Sequence, residues 1–367
     1  MQSYKKLFII KKIVLLLPPI LDSSFFMKKC FFLCALVFCL MGGMFSCSKD
    51  FNSNAPYEDV TVVYGILNSS DTVHYIKIYK GFLTDGNAAE AAQVYDSLYY
   101  FDRIDAVVEE YVNGQLVATI PLDTTLSIPR DPGDFAAPDQ LVYKFSRVLN
   151  PDAVYKLRIT NKETGRVVTA ETKVVGNFSI TAPAPSNAGV SIINTTQTPL
   201  KFTVSANAYS YDIYQTFYYI ERDRTTEVET VKSIRRKINS TALFSPSTSY
   251  VPALLVDLIV SEVKPDKNLD RYISVDSCLK FEAWAVNEHL AHYWSSNRIS
   301  GSIVFDRMQY TNVQCEDGRA TGIFGSRSSA EEWYGLNANS QRELVTGDKT
   351  MGLNFHYAWE YLDLHQE

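Results

Sequence analysis

From residue 56 onward, apolar and polar residues alternate in short runs with the two-residue period of strands, and few stretches follow the 3.6-residue period of a helix. Val60–Leu67 (VTVVYGIL) and Val73–Lys80 (VHYIKIYK) flank the polar spacer Asn68-Ser69-Ser70-Asp71-Thr72 and predict a hairpin. In the second run His74, Ile76 and Ile78 fall on one face, with Tyr75, Lys77 and Tyr79 on the other. Ala106–Ile120 (AVVEEYVNGQLVATI) sets Asn113-Gly114 between two β-rich runs. That dipeptide accepts the positive φ needed at both turn positions of a tight hairpin. Leu141–Phe145 predicts another strand, and Tyr155–Thr160 and Val167–Val174 a further hairpin with Gly165 in its loop. Ala88–Val94 has helix-forming composition. Pro129, Pro132 and Pro138 mark a long loop.

Beyond the proline-rich segment Ala182–Asn187, the strand candidates are Leu200–Ser205, Gln215–Arg222 and Cys278–Val286. Pro252–Val263 (PALLVDLIVSEV) is the best helix candidate. Pro252 suits a first turn and Leu255, Leu258 and Ile259 keep helical spacing, although its β-branched residues leave a buried strand open. Glu288–Trp294 predicts a helical turn. The expected fold is mostly β. An immunoglobulin- or fibronectin-like β-sandwich spans 56–176, a second β-rich domain with one or two short helices spans 177–335, and 336–367 form a C-terminal segment. The VYxLxI…TGxxVxAxT pattern at Val154–Thr172 resembles the last hairpin of such sandwich modules.

The first 55 residues are patterned differently. In Met27–Asp50 (MKKCFFLCALVFCLMGGMFSCSKD), Lys28 and Lys29 precede the apolar run Phe31–Phe45, and Cys47 follows a small-residue stretch. This order is that of a secretory signal, and the run falls short of the roughly 20 residues that span a bilayer. The cysteine directly behind it resembles the lipobox of bacterial lipoproteins. That resemblance implies diacylglycerol on the Cys47 thiol, cleavage before it, and a body tethered to a membrane face. An uncleaved anchor helix is the alternative. Residues 1–26, whose apolar stretch is broken by Lys11-Lys12 and Pro18-Pro19, are expected to be a miscalled extension, with Met27 as initiator; a two-part N-terminus is the other reading. Residues 27–46 would be the signal peptide and 47–55 a tether.

Charge and cysteines follow from that cut. Taking the six lysines and one aspartate of residues 1–46 from 35 basic and 41 acidic residues leaves 29 and 40, a formal net charge of −11 over 321 residues. Such a balance argues against a nucleic-acid partner, which needs a basic face. With Cys30, Cys34 and Cys39 removed and Cys47 lipidated, Cys278 and Cys315 remain. They could form one disulfide, worth roughly 3–4 kcal/mol for a loop of about 36 residues. Two separate thiols are the alternative.

The chain carries no GxSxG, HExxH, P-loop or GxGxxG signature, so no catalytic residues and no cofactor are assigned. His289 and His292 could share a helix face with Glu288, but without a third protein ligand they read as packing or surface residues, and no metal site is assigned. Trp284, Trp294, Trp333 and Trp359 form either a stacking surface for a sugar or peptide or part of the core. The cluster Arg235-Arg236-Lys237 reads as a solvated strand edge rather than a binding patch.

Two stretches, KFEAWAVNEHLAHYWSS and, after Val304-Phe305, TNVQCEDGRATGIFGSRSS, resemble the C-terminal half of a Bacteroidota outer-membrane lipoprotein family of unknown function. The Asn312–Gly325 part, ending in Gly322-Ile323-Phe324-Gly325, carries most of the likeness. Such proteins often stand beside TonB-dependent receptors. The resemblance therefore implies an accessory, surface-exposed lipoprotein in the outer membrane that acts with such a transporter and holds a glycan or peptide. A structural or adhesive module, or an envelope hydrolase, are the competing expectations. Ser48-Lys49-Asp50 is similar to acidic export tags of this lineage, and Asp71-Thr72-Val73, Asp96-Ser97-Leu98 and Asp123-Thr124-Thr125 to its short O-glycosylation motif.

Overall fold

Strand β1 (Val60–Asn68) is built for the middle of a sheet, because its residues alternate between a buried and an outward face and both of its edges are paired. In the computed structural model, which describes residues 59–81, 87–184, 189–242, 247–274, 277–297 and 310–364, β1 pairs antiparallel with β2 (Val73–Gly81) on one side. On its other side it pairs parallel with β17 (Ala320–Tyr334), a strand more than 250 residues later in sequence. Around this seam runs a ten-stranded sheet. Beyond β2 lie β6 (Val142–Ser146) and β5 (Asp123–Thr125). Beyond β17 lie β15 (Leu279–Val286), β11 (Ser210–Asp223), β14 (Leu269–Ile273) and β18 (Phe355–His356), with β12 (Glu229–Ala242) also paired to β11. The protein is mostly β, with several sheets and a few short helices, as the alternation implies.

The first half of this sheet faces a second, five-stranded one, ordered β16 (Val313–Cys315), β8 (Val167–Lys173), β7 (Ala153–Asn161), β3 (Ile104–Val112) and β4 (Gln115–Pro121). Between them lies one core, with Val63, Leu67, Ile76 and Ile78 from one sheet and Val108, Tyr155, Leu157 and Ile159 from the other. Each such side chain contributes about 1.5–3 kcal/mol by leaving water. Asn113 and Gly114, at φ 51 and 78, close the β3–β4 hairpin as its sequence requires. The sandwich is not completed by its own first 120 residues, however. β16 and β17, from residues 313–334, supply a strand to each sheet.

A second core, with Phe217, Leu255, Ile259, Leu279 and Phe281, lies under the other half of the large sheet. It is covered in part by the helix Leu254–Glu262. Within Pro252–Val263 the helix runs from Leu254 to Glu262, and Leu255, Val256 and Ile259 are its buried residues. Small sheet β13 (Ser247–Tyr250), β10 (Thr198–Phe202) and β9 (Ile180–Ala182) adds to this half. Residues 56–367 form one compact unit in which two cores share one sheet across the 176/177 boundary. No helix among the described residues is long and apolar enough to cross a membrane.

One buried group makes this packing sensitive to acid. His74 is 3% exposed, its ring packs on Phe145 at 4.9 Å, and Nε2 donates to the Arg147 carbonyl at 2.9 Å. Burial holds its pKa below 6.5, against the raising effects of that carbonyl and of Asp71. The unfolded chain takes up this proton near pH 6.5 and the folded chain only at lower pH. Stability is therefore full above that value and is lost as pH falls below it. Melting temperature is expected to drop between about pH 7.5 and 5.5, and His74→Phe should flatten part of that slope. The remainder belongs to groups such as His289, whose pKa burial also lowers.

Candidate functional site

The residues singled out from sequence fall in several places. Cys47 lies outside the described residues. Cys278 and Cys315 are free thiols, one buried in the second core and the other half-exposed beside the first. A disulfide between them is replaced by two separate cysteines, because each belongs to a different core. Burial pushes the Cys278 thiol up to about 12, which makes it unreactive. His289, Glu288 and His292 lie on the helix Glu288–Asn297. His289 Nδ1 shares a hydrogen bond of 2.6 Å with the Tyr310 phenol, and His292 packs against Tyr209 and Tyr310. Among the described residues no group of three or more His, Cys, Asp or Glu is placed to hold a metal ion.

None of the four tryptophans belongs to the buried core. Trp284 lies under the Arg327 guanidinium at 4.9 Å, and Trp333 lies against Tyr218 and under Lys280. Trp359 stacks on Tyr357 and Trp294 packs beside Leu290, so the four do not meet in one surface. In the basic cluster, Arg235 pairs with Glu282 and Lys237 with Asp212, while Arg236 turns inward to Gln215 and the Val251 carbonyl. Of the three short Asp-Ser/Thr motifs, Thr72 and Thr124 are exposed and Ser97 is half-buried.

The Asn312–Gly325 signature is a joint. Asn312 acts as an extra strand residue: its amide donates to the carbonyls of Phe324 (2.7 Å) and Glu171 (3.0 Å) and accepts from Phe324 N–H (2.9 Å). Asn287, 4% exposed, caps the Glu288–Asn297 helix by accepting from Leu290 N–H, accepts also from Ser326 N–H, and donates to Thr172 Oγ1. Ser326 in turn accepts from Val175 N–H and donates to the Lys173 carbonyl. These bonds clamp β17 to the crossover between the two cores. Beside them opens a cleft of about 420 Å³ that includes Ser205, Asn207, Asn287 and His289. Each of those four side chains already has a protein partner. Its residues serve the architecture first.

A second concavity differs. On the outward face of β1, β2 and β6 lies a groove of about 460 Å³ lined by Tyr64, Tyr75, Lys77, Tyr79 and Arg130, with Ile66 and Val142. The alternation of β2 positions this set: burying His74, Ile76 and Ile78 leaves Tyr75, Lys77 and Tyr79 on the far face. Tyr64 stacks on Tyr79 at 5.9 Å and 19°, and the edge of Tyr293 meets Tyr64 at 6.2 Å. Tyr64 and Tyr75 are 37% and 41% exposed, so aromatic surface faces solvent. Arg130 comes from the proline-marked loop, pinned there by its own N–H to the Pro138 carbonyl and by Gln140 to the Pro129 carbonyl. Its guanidinium lies 5.2 Å from the Phe135 ring.

Electrostatics set the groove apart. Partial desolvation in the groove lowers the pKa of Lys77, which is otherwise exposed, and the neighbouring Arg130 lowers it further. Burial raises the Tyr79 phenol well above its ordinary value, with Tyr64 adding to the rise and Arg130 opposing it. Arg130 Nη1 is out of contact with solvent and has no acceptor. The alternation in Val73–Lys80 shows the three β2 residues from sequence alone. Arg130 has no such signal, since it reaches the groove from a loop 50 residues later.

No family model matches the chain, and no curated protein matches its sequence. Among solved structures, the C-terminal globular domain of an oligosaccharyltransferase from Pyrococcus abyssi is similar over 77% of this chain and 48% of that one, at 11% identity and a TM-score of 0.17. The chain thus spans about half the length of that structure, and a likeness of this size carries no argument about function.

Proposed function

We propose that the chain is the body of a lipid-anchored outer-membrane protein that captures a ligand, glycan or peptide, for a TonB-dependent transporter and performs no chemistry on it. The observation that carries this reading is the groove of Tyr64, Tyr75, Tyr79, Lys77 and Arg130, an exposed aromatic surface with two cations on an otherwise hydrogen-bonded sheet. Its size suits a small ligand. The charge–apolar–cysteine order at Met27–Asp50 supports the anchor, with Cys47 as the lipidated residue. Two or three acyl chains there would hold the protein on its membrane for long periods.

The test is affinity capture of tagged full-length protein from solubilised outer membrane, followed by ligand titration. A TonB-dependent receptor is expected to copurify, and Cys47→Ser should no longer sediment with the membrane. Tyr64→Ala and Tyr75→Ala should each weaken ligand binding about tenfold, the loss of roughly 1–1.5 kcal/mol of ring contact. Failure to retain any receptor, together with no binding of oligosaccharide or peptide at millimolar concentration, would overturn the reading.

A further inference from the structure

We infer that the groove on β1, β2 and β6 takes an acidic carbohydrate, its ring laid on Tyr64 and Tyr79 and its anionic group seated between Lys77 and Arg130. This rests on the ligand-capture reading and names the ligand class. Three observations lead to it.

The first is charge. On the same outward sheet face the cations near the second core are matched: Arg235 with Glu282, Lys237 with Asp212, Lys280 with Glu282 and Glu331. Lys77 and Arg130 line the same groove, with Arg130 close enough to lower the Lys77 pKa, and among the described residues no ion pair joins either to a carboxylate. Two adjacent cations left unmatched in an acid-rich chain, of formal net charge −6, favour an anion between them.

The second is the orphaned donor. Arg130 Nη1 is buried without an acceptor, and a buried N–H is costly unless something accepts from it. A carboxylate or sulfate that reached the guanidinium would be held in the forked geometry it favours. Neutral hydroxyls would leave the two charges uncompensated.

The third is the floor. β1 is paired along both edges and β2 is paired with β6 over Val73–Ile76, so the floor around Tyr64 and Tyr75 offers no free strand edge to which an extended peptide could add. Recognition there comes from side chains, and the polar ones that line the groove are tyrosine rings and cations. The near-parallel Tyr64–Tyr79 pair, with Tyr64 partly exposed, offers aromatic surface to the C–H face of a sugar ring. The pattern fits a pyranose that bears a carboxylate or a sulfate.

Titration calorimetry on the full chain in detergent would decide it, with four probes: a galacturonate tetrasaccharide, the neutral galactose tetrasaccharide, a sulfated galactose tetrasaccharide and tetraglutamate. At least one acidic tetrasaccharide is expected to bind tenfold or more tightly than the neutral one, and to weaken as salt rises. Which of the two acidic sugars binds identifies the anionic group. Arg130→Gln and Lys77→Gln should each bring that probe down to the affinity of the neutral one. Lys77 is exposed and so tests the idea even where Arg130→Gln disturbs the Phe135 contact. Equal affinity for acidic and neutral sugars would overturn this assignment and leave ligand capture standing. Tetraglutamate binding that depends on Arg130, without any sugar binding, would overturn the carbohydrate in favour of an acidic peptide. No binding of any probe would also overturn it, with receptor copurification then deciding the broader reading.

Discussion

Gly322→Ala is expected to cost on the order of 3–5 kcal/mol, enough to remove a large share of the 5–15 kcal/mol that holds a typical domain folded. Gly322 sits at φ 120, a conformation that residues with a side chain rarely adopt. A Cβ built there would stand 1.9 Å from the Val63 carbonyl oxygen and 2.8 Å from its carbon, both backbone atoms that cannot swing aside. Val63 and Gly322 are register partners in the parallel β1–β17 ladder. The substitution thus pushes apart the seam on which both sheets of the first core depend. Gly318→Ala is the control. It too has a positive φ, 72, but a Cβ there meets nothing within 4 Å, so it should cost about 1 kcal/mol. Urea denaturation of the three proteins separates the cases. A Gly322→Ala midpoint no lower than that of Gly318→Ala would show that the seam is not a stability-limiting contact.

The same seam explains what could be read from sequence. Local signals are strong where a strand's fate is decided by its own alternation, as in Val73–Lys80, or by a turn dipeptide, as in Asn113-Gly114. Both elements form as read. The helix at Leu254–Glu262 follows in the same way from Leu255 and Ile259. Non-local pairing leaves no such mark. Nothing in VTVVYGIL says that its free edge will accept a strand from residue 320 onward, nor that one sheet will run across the 176/177 boundary beneath two cores. The strongest sequence signature, Asn312–Gly325, attracts attention for its glycines and asparagine. Its structural role is a clamp: Gly322 and Gly325 permit close approach, with the Cβ of Leu290 3.1 Å from where a Gly325 Cβ would lie. The groove was half legible for the same reason. Its tyrosines come from one alternating strand pair, while Arg130 is delivered by a loop whose path depends on hydrogen bonds to Pro129 and Pro138.

Arg271→Met should be the other large loss, about 3–5 kcal/mol, because it removes one partner of a buried pair. Arg271 is 2% exposed on β14 and its three nitrogens are all used. Nε donates to Glu221 Oε1 at 2.9 Å, Nη1 to the Leu353 carbonyl at 2.6 Å and Nη2 to the Lys264 carbonyl at 3.1 Å. One guanidinium thereby ties β11, the chain just after the Leu254–Glu262 helix, and the segment that leads into β18. Methionine fills a similar volume but leaves two carbonyls without this donor and Glu221, 15% exposed at its side chain, with only the more distant Lys232. Arg271→Lys keeps the charge yet loses the fork, and should fall between the two. Adding Glu221→Gln to Arg271→Met should recover part of the loss, since it removes a half-buried charge left with only Lys232 at 3.8 Å, and a double-mutant cycle in urea gives that coupling directly. Hydrogen exchange supplies the independent readout. Protection at Phe355 and His356, which pair in parallel with Arg271 and Tyr272, is expected to fall before that of β15. Equal protection across both strands in Arg271→Met would mean that the C-terminal strand is held by its ladder and not by this side chain.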